Sequence, residues 1–214
     1  SISESPFQFG LIYTGSDDGL VHVTKNAGGS WENISTSLPK DLWVSRVVAS
    51  KHKKARVYMT LNGYRWDDFK PYVYMSEDFG KTWTSINSNL PLSPVNVIAE
   101  DPDNENVLYL GTDNGAYVSL NQGQSWHVFS NGLPNVAVHD VVIQPEAKDL
   151  LLGTHGRSIY LTNIAPLQRV TPKTLEARDL VLFELENLRH SRRWGNSWSQ
   201  WLEAYEPSVT IQFY

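Results

Sequence analysis

The chain has 214 residues and a formal net charge of −5, with 19% charged and 12% aromatic residues, a composition that suits an all-β globular protein and argues against disorder. The only basic run is Lys51-His52-Lys53-Lys54, so the clustered Lys and Arg footprint of a nucleic-acid binder is missing, and no apolar stretch approaches the ~20 residues of a membrane-spanning helix. There is no cysteine, which excludes disulfides, cysteine nucleophiles and thiolate metal sites within these residues.

Taken in chain order, short runs of β-branched and aromatic residues alternate with turn residues, the pattern of an all-β protein. Residues 11–15 read as the second strand of a four-stranded unit, and residues 20–24 as its third. Residues 44–49, 57–63 and 72–76 read as the first three strands of a second unit, with an insertion at 64–71. A third unit follows at 95–99, 107–111 and 116–119. A fourth begins at 138–143 and keeps its second and third strands over 149–162. Because the first unit starts near its second strand, the reading is of two complete units and two partial ones, hence part of a larger assembly.

Three of these units share one loop. Thr24-Lys25-Asn26-Ala27-Gly28-Gly29-Ser30-Trp31 recurs as Ser76-Glu77-Asp78-Phe79-Gly80-Lys81-Thr82-Trp83 and as Ser119-Leu120-Asn121-Gln122-Gly123-Gln124-Ser125-Trp126. Asp or Asn bonds to backbone amides ahead of it, the hydroxyl residue does likewise, and Gly supplies the positive φ that closes the turn. Asn26, Asp78 and Asn121 are therefore expected to bond their own loops. Trp31, Trp83 and Trp126 are expected to be mostly buried between sheets. The Trp residues stand roughly 40 to 50 residues apart, the length of a four-stranded propeller blade. The fourth unit loses the loop after Thr162, running into Asn163-Ile164-Ala165-Pro166-Leu167.

The loop resembles the Asp-box, or bacterial neuraminidase repeat (BNR), of β-propellers. That resemblance implies an all-β partial propeller of about four blade units, two of them complete, with Thr24, Asn26, Gly28, Trp31, Ser76, Asp78, Gly80, Trp83, Ser119, Asn121, Gly123 and Trp126 as structural box residues. The segments Trp43-Val44-Ser45-Arg46, Asp67-Asp68-Phe69-Lys70-Pro71-Tyr72-Val73-Tyr74 and Gly153-Thr154-His155-Gly156-Arg157-Ser158-Ile159-Tyr160 are similar to the final blades of large bacterial propeller proteins of the sortilin-like or BNR glycosyl hydrolase kind. The resemblance implies secretion or a periplasmic location in a bacterium, which the lack of cysteine also suits. The cytoplasm stays open. The Arg-Ile-Pro motif of sialidases is absent.

If the boxes share one face, the turns joining second and third strands emerge on the other. That face collects Asp17, Asp18, Asp113 and Asn114, which tight hairpin turns also explain, and Arg65, Trp66, Asp67, Asp68, His155 and Arg157, the six expected to hold a ligand with Trp66 as a stacking platform for a sugar. Asp67, Asp68 and His155 are the candidates should the protein be catalytic. The histidines show no metal-ligand spacing, so no metal or other cofactor is expected.

The domain reading is residues 1–167 as propeller blades, 168–179 as a linker, and 180–214 as a further β segment opening a β-sandwich, with an ordered loop over 189–201; a helix over 175–188 is the alternative. Expected partners are a glycan or protein ligand and either the remaining blades of the protein or a second copy, with no nucleic acid and no membrane span. Three functions fit: a binding scaffold, part of a glycoside hydrolase, or a sortilin-like peptide-binding domain.

Overall fold

The computed structural model of the chain describes residues 1–177 and 179–184, together with 192, 194, 195, 197, 201, 208 and 211–213. It divides into two compact units, Ser1–Gln168 and Arg169–Tyr214.

The first unit is four consecutive antiparallel sheets, the blades of a partial propeller. Blade 1 runs β1 (Ile2–Glu4), β2 (Ile12–Gly15), β3 (Val21–Thr24) and β4 (Glu32–Asn33), and blade 2 runs β5 (Trp43–Ala49), β6 (Val57–Gly63), β7 (Asp68–Ser76) and β8 (Thr84–Ser85). Blade 3 comprises β9 (Val95–Glu100), β10 (Leu108–Thr112), β11 (Gly115–Ser119) and β12 (His127–Val128). Blade 4 has three strands, β13 (Val138–Gln144), β14 (Asp149–Thr154) and β15 (Ile159–Asn163). Three blades are thus complete where two were expected. The extra first strand, β1, is three residues paired with Ile12, Tyr13 and Thr14, too short to show an alternation in sequence.

Successive blades bury apolar layers against one another. Leu11, Tyr13 and Val23 of blade 1 pack on Val44, Val47, Met59 and Leu61 of blade 2. Tyr58 and Val73 meet Val95, Ile98, Leu108 and Leu110 of blade 3, and Val97, Tyr109 and Val118 meet Val138, Val141 and Leu152 of blade 4. Covered on both faces, β6 is buried along its whole length, whereas β15 is largely exposed.

The boxes close on themselves as expected. Asn26 Oδ1 accepts from Thr24 Oγ1 and Ser30 N, each at 2.9 Å. Asp78 Oδ1 accepts from Ser76 Oγ at 2.8 Å and Thr82 N at 2.9 Å, and Asn121 Oδ1 accepts from Ser119 Oγ at 3.0 Å and Ser125 N at 2.9 Å. The Trp residues behave less uniformly: Trp126 is 3% exposed, Trp83 is half-buried, and Trp31 is 46% exposed. The burial expected of Trp31 fails for a simple reason. Trp83 Nε1 donates to Ile34 O at 2.8 Å and Trp126 Nε1 donates to Ile86 O at 2.7 Å, so each indole rests on the blade before it. Among the described residues no sheet stands before blade 1 to take the Trp31 indole. The box glycines follow the same rule: a Cβ on Gly123 would sit 2.8 Å from Ile86 Cδ1, whereas one on Gly28 would meet only its own Trp31.

Asp78 is held below the usual carboxylate range, first by the Thr82 N–H, with the Thr82 and Ser76 hydroxyls adding to it. A depressed carboxylate contributes stability that is present above its unfolded value of about 3.9 and lost as pH falls through its folded value. Asp78→Asn, which installs the residue found in the other two boxes, is expected to leave stability at pH 7 within about 0.5 kcal/mol. It should also remove this box's share of the acid-side loss, read as urea midpoints at pH 7 and pH 3.

After β15 the chain forms the single turn α1 (Ala165–Gln168), with Ile164 fully buried. In the second unit, within the stretch expected to be a linker, Pro172–Glu176 forms a second short helix, α2. Its N-terminus is a reciprocal cap in which Thr171 Oγ1 accepts from Thr174 N and Thr174 Oγ1 accepts from Thr171 N, both at 3.2 Å. Leu182 makes an isolated antiparallel bridge with Phe213. Of the strand expected over 180–185, residues 180–184 show only that bridge, and residues 177 and 179–184 lie outside any helix, so the alternative helix over 175–188 does not continue past Glu176 among the described residues. The loop over 189–201 and the rest of the expected sandwich segment fall mainly on residues outside the described set.

Candidate functional site

The first strands of blades 2, 3 and 4 each carry a bulge near their start: register slips between Val44 and Arg46 in β5, at the Val95–Val97 step in β9, and between Val138 and Asp140 in β13. A bulge inserts one unpaired residue and re-aims its side chain. The three inserted residues are Ser45, Asn96 and His139. On the second strands the equivalent positions, one place beyond Leu61, Thr112 and Thr154, are Asn62, Asp113 and His155; Asn62 lies opposite Trp43, and the Asp113 and His155 amides donate to Pro94 O and Ala137 O. Each blade from 2 to 4 therefore brings two polar side chains to the end opposite its box loop.

These side chains form a row. Asn62 Oδ1 accepts from Tyr64 N at 2.9 Å, and Asn62 Nδ2 donates to Asn96 Oδ1 at 2.9 Å. Asn96 Nδ2 in turn donates to Asp113 Oδ1 at 2.8 Å. The amide bonds run from blade 2 into blade 3 in one direction, and Asn62 and Asn96 are buried. In blade 4 the rings of His139 and His155 meet edge to face, centroids 5.5 Å apart. Ser45 is committed elsewhere, its Oγ donating to Val95 O at 2.8 Å.

Over this row lies a cavity of about 490 Å³ lined by Trp43, Asn62, Tyr64, Arg65, Asn96, Asp113, Ala137, His139 and His155. The insertion after β6 forms one wall, through a 3-10 turn at Tyr64–Trp66. That turn places the Arg65 guanidinium 5.2 Å from the centre of the Trp43 ring, a cation–π contact. Arg46 and Asp140 pair beside it at 2.7 Å.

Of the six residues expected to share a ligand site, Arg65 and His155 line this cavity. Trp66, Asp67, Asp68 and Arg157 are absent from its lining. Trp66 is 67% exposed. Asp67 adopts φ 56° to end the 3-10 turn, a position where Asp is tolerated. Asp68 is engaged by its own strand, accepting from Tyr72 OH at 2.7 Å and Lys70 N at 3.1 Å, and the Tyr72 bond is the main reason its pKa is lowered. Asp113, placed on this face but read chiefly as a turn residue, also lines the cavity, whereas Trp43, Tyr64, Asn96 and His139 were not anticipated. The signal was present in the repeat itself: aligning the starts of the first strands sets Asn96 beside His139, two polar residues in runs otherwise assigned to the core.

Asp113 is the single carboxylate of the lining, so the cavity lacks the two flanking acids that glycoside hydrolysis ordinarily needs. Its lining presents one guanidinium, two imidazoles, one carboxylate and fixed amides around aromatic faces. Among the described residues no group of three or more His, Asp or Glu is placed to hold a metal ion, and no helix is long and apolar enough to cross a membrane.

Three self-closed box loops, four consecutive antiparallel blades and interblade indole bonds make the chain a β-propeller protein of the Asp-box, or BNR, type. Residues 71–168 match the family model described as Sortilin-Vps10 (sortilin, neurotensin receptor 3). A search of curated protein sequences found no match. Among solved structures, the chain is similar to the GH74 xyloglucanase from Xanthomonas campestris, with 13% identity over 78% of this chain and 30% of that one and a TM-score of 0.59. It is similar to the Niastella koreensis GH74 enzyme at 13% identity over 75% and 27%, TM-score 0.60. The structure of YCF48 bound to D1 peptide gives 13% identity over 77% and 50%, TM-score 0.56. At these identities the likeness is one of fold, and the chain spans no more than half the length of any of the three.

Proposed function

We propose that this chain is the ligand-binding portion of a larger Asp-box propeller, a non-catalytic scaffold that holds a glycan or protein segment in the cavity bounded by Trp43, Tyr64, Arg65, Asp113, His139 and His155. The observation that carries this reading is the convergence of two bulge residues (Asn96 and His139), three residues at the ends of second strands (Asn62, Asp113 and His155) and the inserted turn on one cavity, away from the self-bonded box loops. Asn62 and Asn96 spend their hydrogen bonds on each other and on Asp113, which fixes the wall. Arg65 pairs with an aromatic face and with no carboxylate among the described residues. In this reading residues 1–167 are blades of a longer propeller, and 168–179 lead to an additional β segment at 180–214. The protein works outside the cytoplasm, in keeping with the absence of cysteine.

Arrays of glycans and of peptides test the reading directly. A bound ligand is expected to lose roughly tenfold or more in affinity with Arg65→Ala or His139→Ala, since hydrogen bonds to charged groups contribute about 1.5–3 kcal/mol. Neither change should shift the melting temperature, both side chains being exposed. Trp66→Ala and Asn121→Ala are expected to leave affinity intact. Release of reducing sugar that stops with Asp113→Asn would replace the scaffold reading by an enzymatic one.

A further inference from the structure

The cavity of blades 2 to 4 holds polar groups that the protein itself leaves unused. Arg65 stands over the Trp43 ring and forms no ion pair among the described residues. His139 and His155 touch each other edge to face. Their ring nitrogens bond to no protein group among the described residues, unlike His52, whose Nε2 pairs with Asp101 O at 2.7 Å. Asp113 Oδ1 accepts from Asn96 Nδ2, and Asp113 Oδ2 is left for a further donor. A ligand that uses this set presents an anionic acceptor to the guanidinium and imidazoles and a neutral donor to the carboxylate.

Two backbone features narrow the class of ligand. The first is that the carbonyls at this end of the first strands are already taken. Pro94 O accepts from Asp113 N at 3.1 Å and Ala137 O from His155 N at 2.9 Å, and Val95 O accepts from Ser45 Oγ at 2.8 Å and Asn62 Nδ2 at 3.4 Å. An extended peptide is ordinarily held by main-chain bonds to a strand edge, so this rim favours a ligand recognised through side chains. The second feature is the turn that carries His155. Thr154 N donates to Ser158 O at 3.3 Å to close it, and Ser158 adopts φ 86°, in the left-handed region that favours glycine. Strain of this kind persists where the surroundings hold it, and it gathers at ligand sites.

We infer that the cavity takes a glycan bearing hexuronic acid, with the sugar carboxylate on Arg65 and the two imidazoles and a ring hydroxyl donating to Asp113 Oδ2. The inference rests on the reading of this cavity as the ligand site. One sugar residue of this class carries both groups that the side chains call for, an anionic acceptor and hydroxyl donors, and needs no main-chain pairing. Bonds between a guanidinium and a carboxylate are among the stronger hydrogen bonds. The other charged or titratable groups around the imidazoles are Tyr64 beside Arg65, Asp113, Arg157 on the His155 turn, and Arg46 of β5, which pairs with Asp140 at 2.7 Å. Since Arg46 and Asp140 offset each other, as do Arg65 and Asp113, the imidazoles set how strongly the cavity attracts an anion. Histidine gains its charge as pH falls from 8 to 5, so the uronic acid is held more tightly on the acid side.

The test is calorimetric titration of the full chain with tetrasaccharides of galacturonic, glucuronic and mannuronic acid, each beside its carboxyl-reduced neutral form. At least one acid is expected to bind roughly tenfold or more tighter than its reduced form at about pH 6, as for a hydrogen bond to a charged group. Arg65→Gln should bring the two forms level. Affinity for the acid should rise roughly fivefold between about pH 7.5 and about pH 5.5, and His139→Gln combined with His155→Gln should flatten that rise. The three side chains are exposed, so the melting temperature should hold. Should a variant melt early, the comparison of acid and reduced forms on the unaltered chain still decides. Equal binding of the two forms overturns the inference, as does no binding of any acid at millimolar concentration. So does acid binding that persists in Arg65→Gln, which would put the sugar elsewhere on the surface. If in any of these cases a peptide or neutral glycan from the arrays is still lost with Arg65→Ala, the cavity remains the ligand site and only the hexuronic acid falls. If no ligand depends on Arg65 or His139, both readings fall.

Discussion

Trp126→Ala is expected to lower stability by about 3–5 kcal/mol, the range for truncating a buried large aromatic, whereas Trp31→Ala costs less than about 1 kcal/mol. Both residues occupy the same place in the same loop, so the difference isolates the contribution of the preceding blade. Trp126 packs among Tyr58, Val73, Ile86 and Val95 of the second interblade layer. Removing it also strands Ile86 O without its indole donor and opens a cavity near Gly123, where an added Cβ would sit 2.8 Å from Ile86 Cδ1. Trp31 is 46% exposed, and for surface positions changes near 0.5 kcal/mol are usual. Trp83→Ala, half-buried with its indole on Ile34 O, should fall between. Urea unfolding of the three variants provides the check, with melting shifts of roughly 6 to 20 °C for Trp126→Ala on the scale of a domain this size. Equal losses at Trp31 and Trp126 would mean that the loops, and not the contacts between blades, hold the indoles.

That gradient also marks how far the sequence could be read. The box loops were legible because their bonds are local: Asn26, Asp78 and Asn121 all reach residues within four positions, and those residues are written in the motif. Strands such as β6 and β10 were legible because a second strand buried on both faces reads as a continuous apolar run. How far each Trp is buried was less legible, since it depends on a carbonyl 49 residues earlier for Trp83 and 40 for Trp126, and Trp31 shows no such bond among the described residues. β1 escaped notice because three residues carry no period.

The cavity was half legible for a related reason. Arg65 and His155 stood out because neither the insertion nor the turn needs them for its geometry. Asn96 and His139 lie inside strands whose alternation points them inward, and only a one-residue bulge, invisible in composition, turns them to the cavity. Trp66, the most conspicuous aromatic of the insertion, is carried outward by the 3-10 turn that brings Arg65 over Trp43. An aromatic beside acids in sequence is therefore weaker guidance than the register of neighbouring blades, which sets which side chains converge.

The largest electrostatic effect is expected at Arg56, which is fully buried where blades 2 and 3 meet. Its Nε donates to Glu77 Oε1 at 2.8 Å, its Nη1 donates to Glu105 Oε2 at 3.1 Å, and Nη1 lies 3.6 Å from Oε1 of the fully buried Glu100. Burial works against the guanidinium's charge, but the Glu77 bond and the nearby acids outweigh it and hold the group protonated. Glu100 in turn accepts from Ser50 Oγ at 2.9 Å, Lys51 N at 2.5 Å and Tyr58 OH at 3.1 Å. Burial, with Glu100 adding to it, pushes the Tyr58 phenol well above its ordinary range, so it stays a donor. Arg56→Met keeps the stem's packing and removes the cation, leaving Glu100 charged and short of its counter-ion. Breaking a buried pair in this way costs about 3–5 kcal/mol, whereas replacing both partners by neutral groups is far cheaper. Glu100→Gln in the Arg56→Met background should therefore recover a large part of the loss, although Glu100→Gln alone destabilises. Urea unfolding of the two single variants and the double variant closes the cycle. Additive losses would show that Arg56 acts through Glu77 and Glu105 at the surface, and the interblade contact would then rest on its apolar layer.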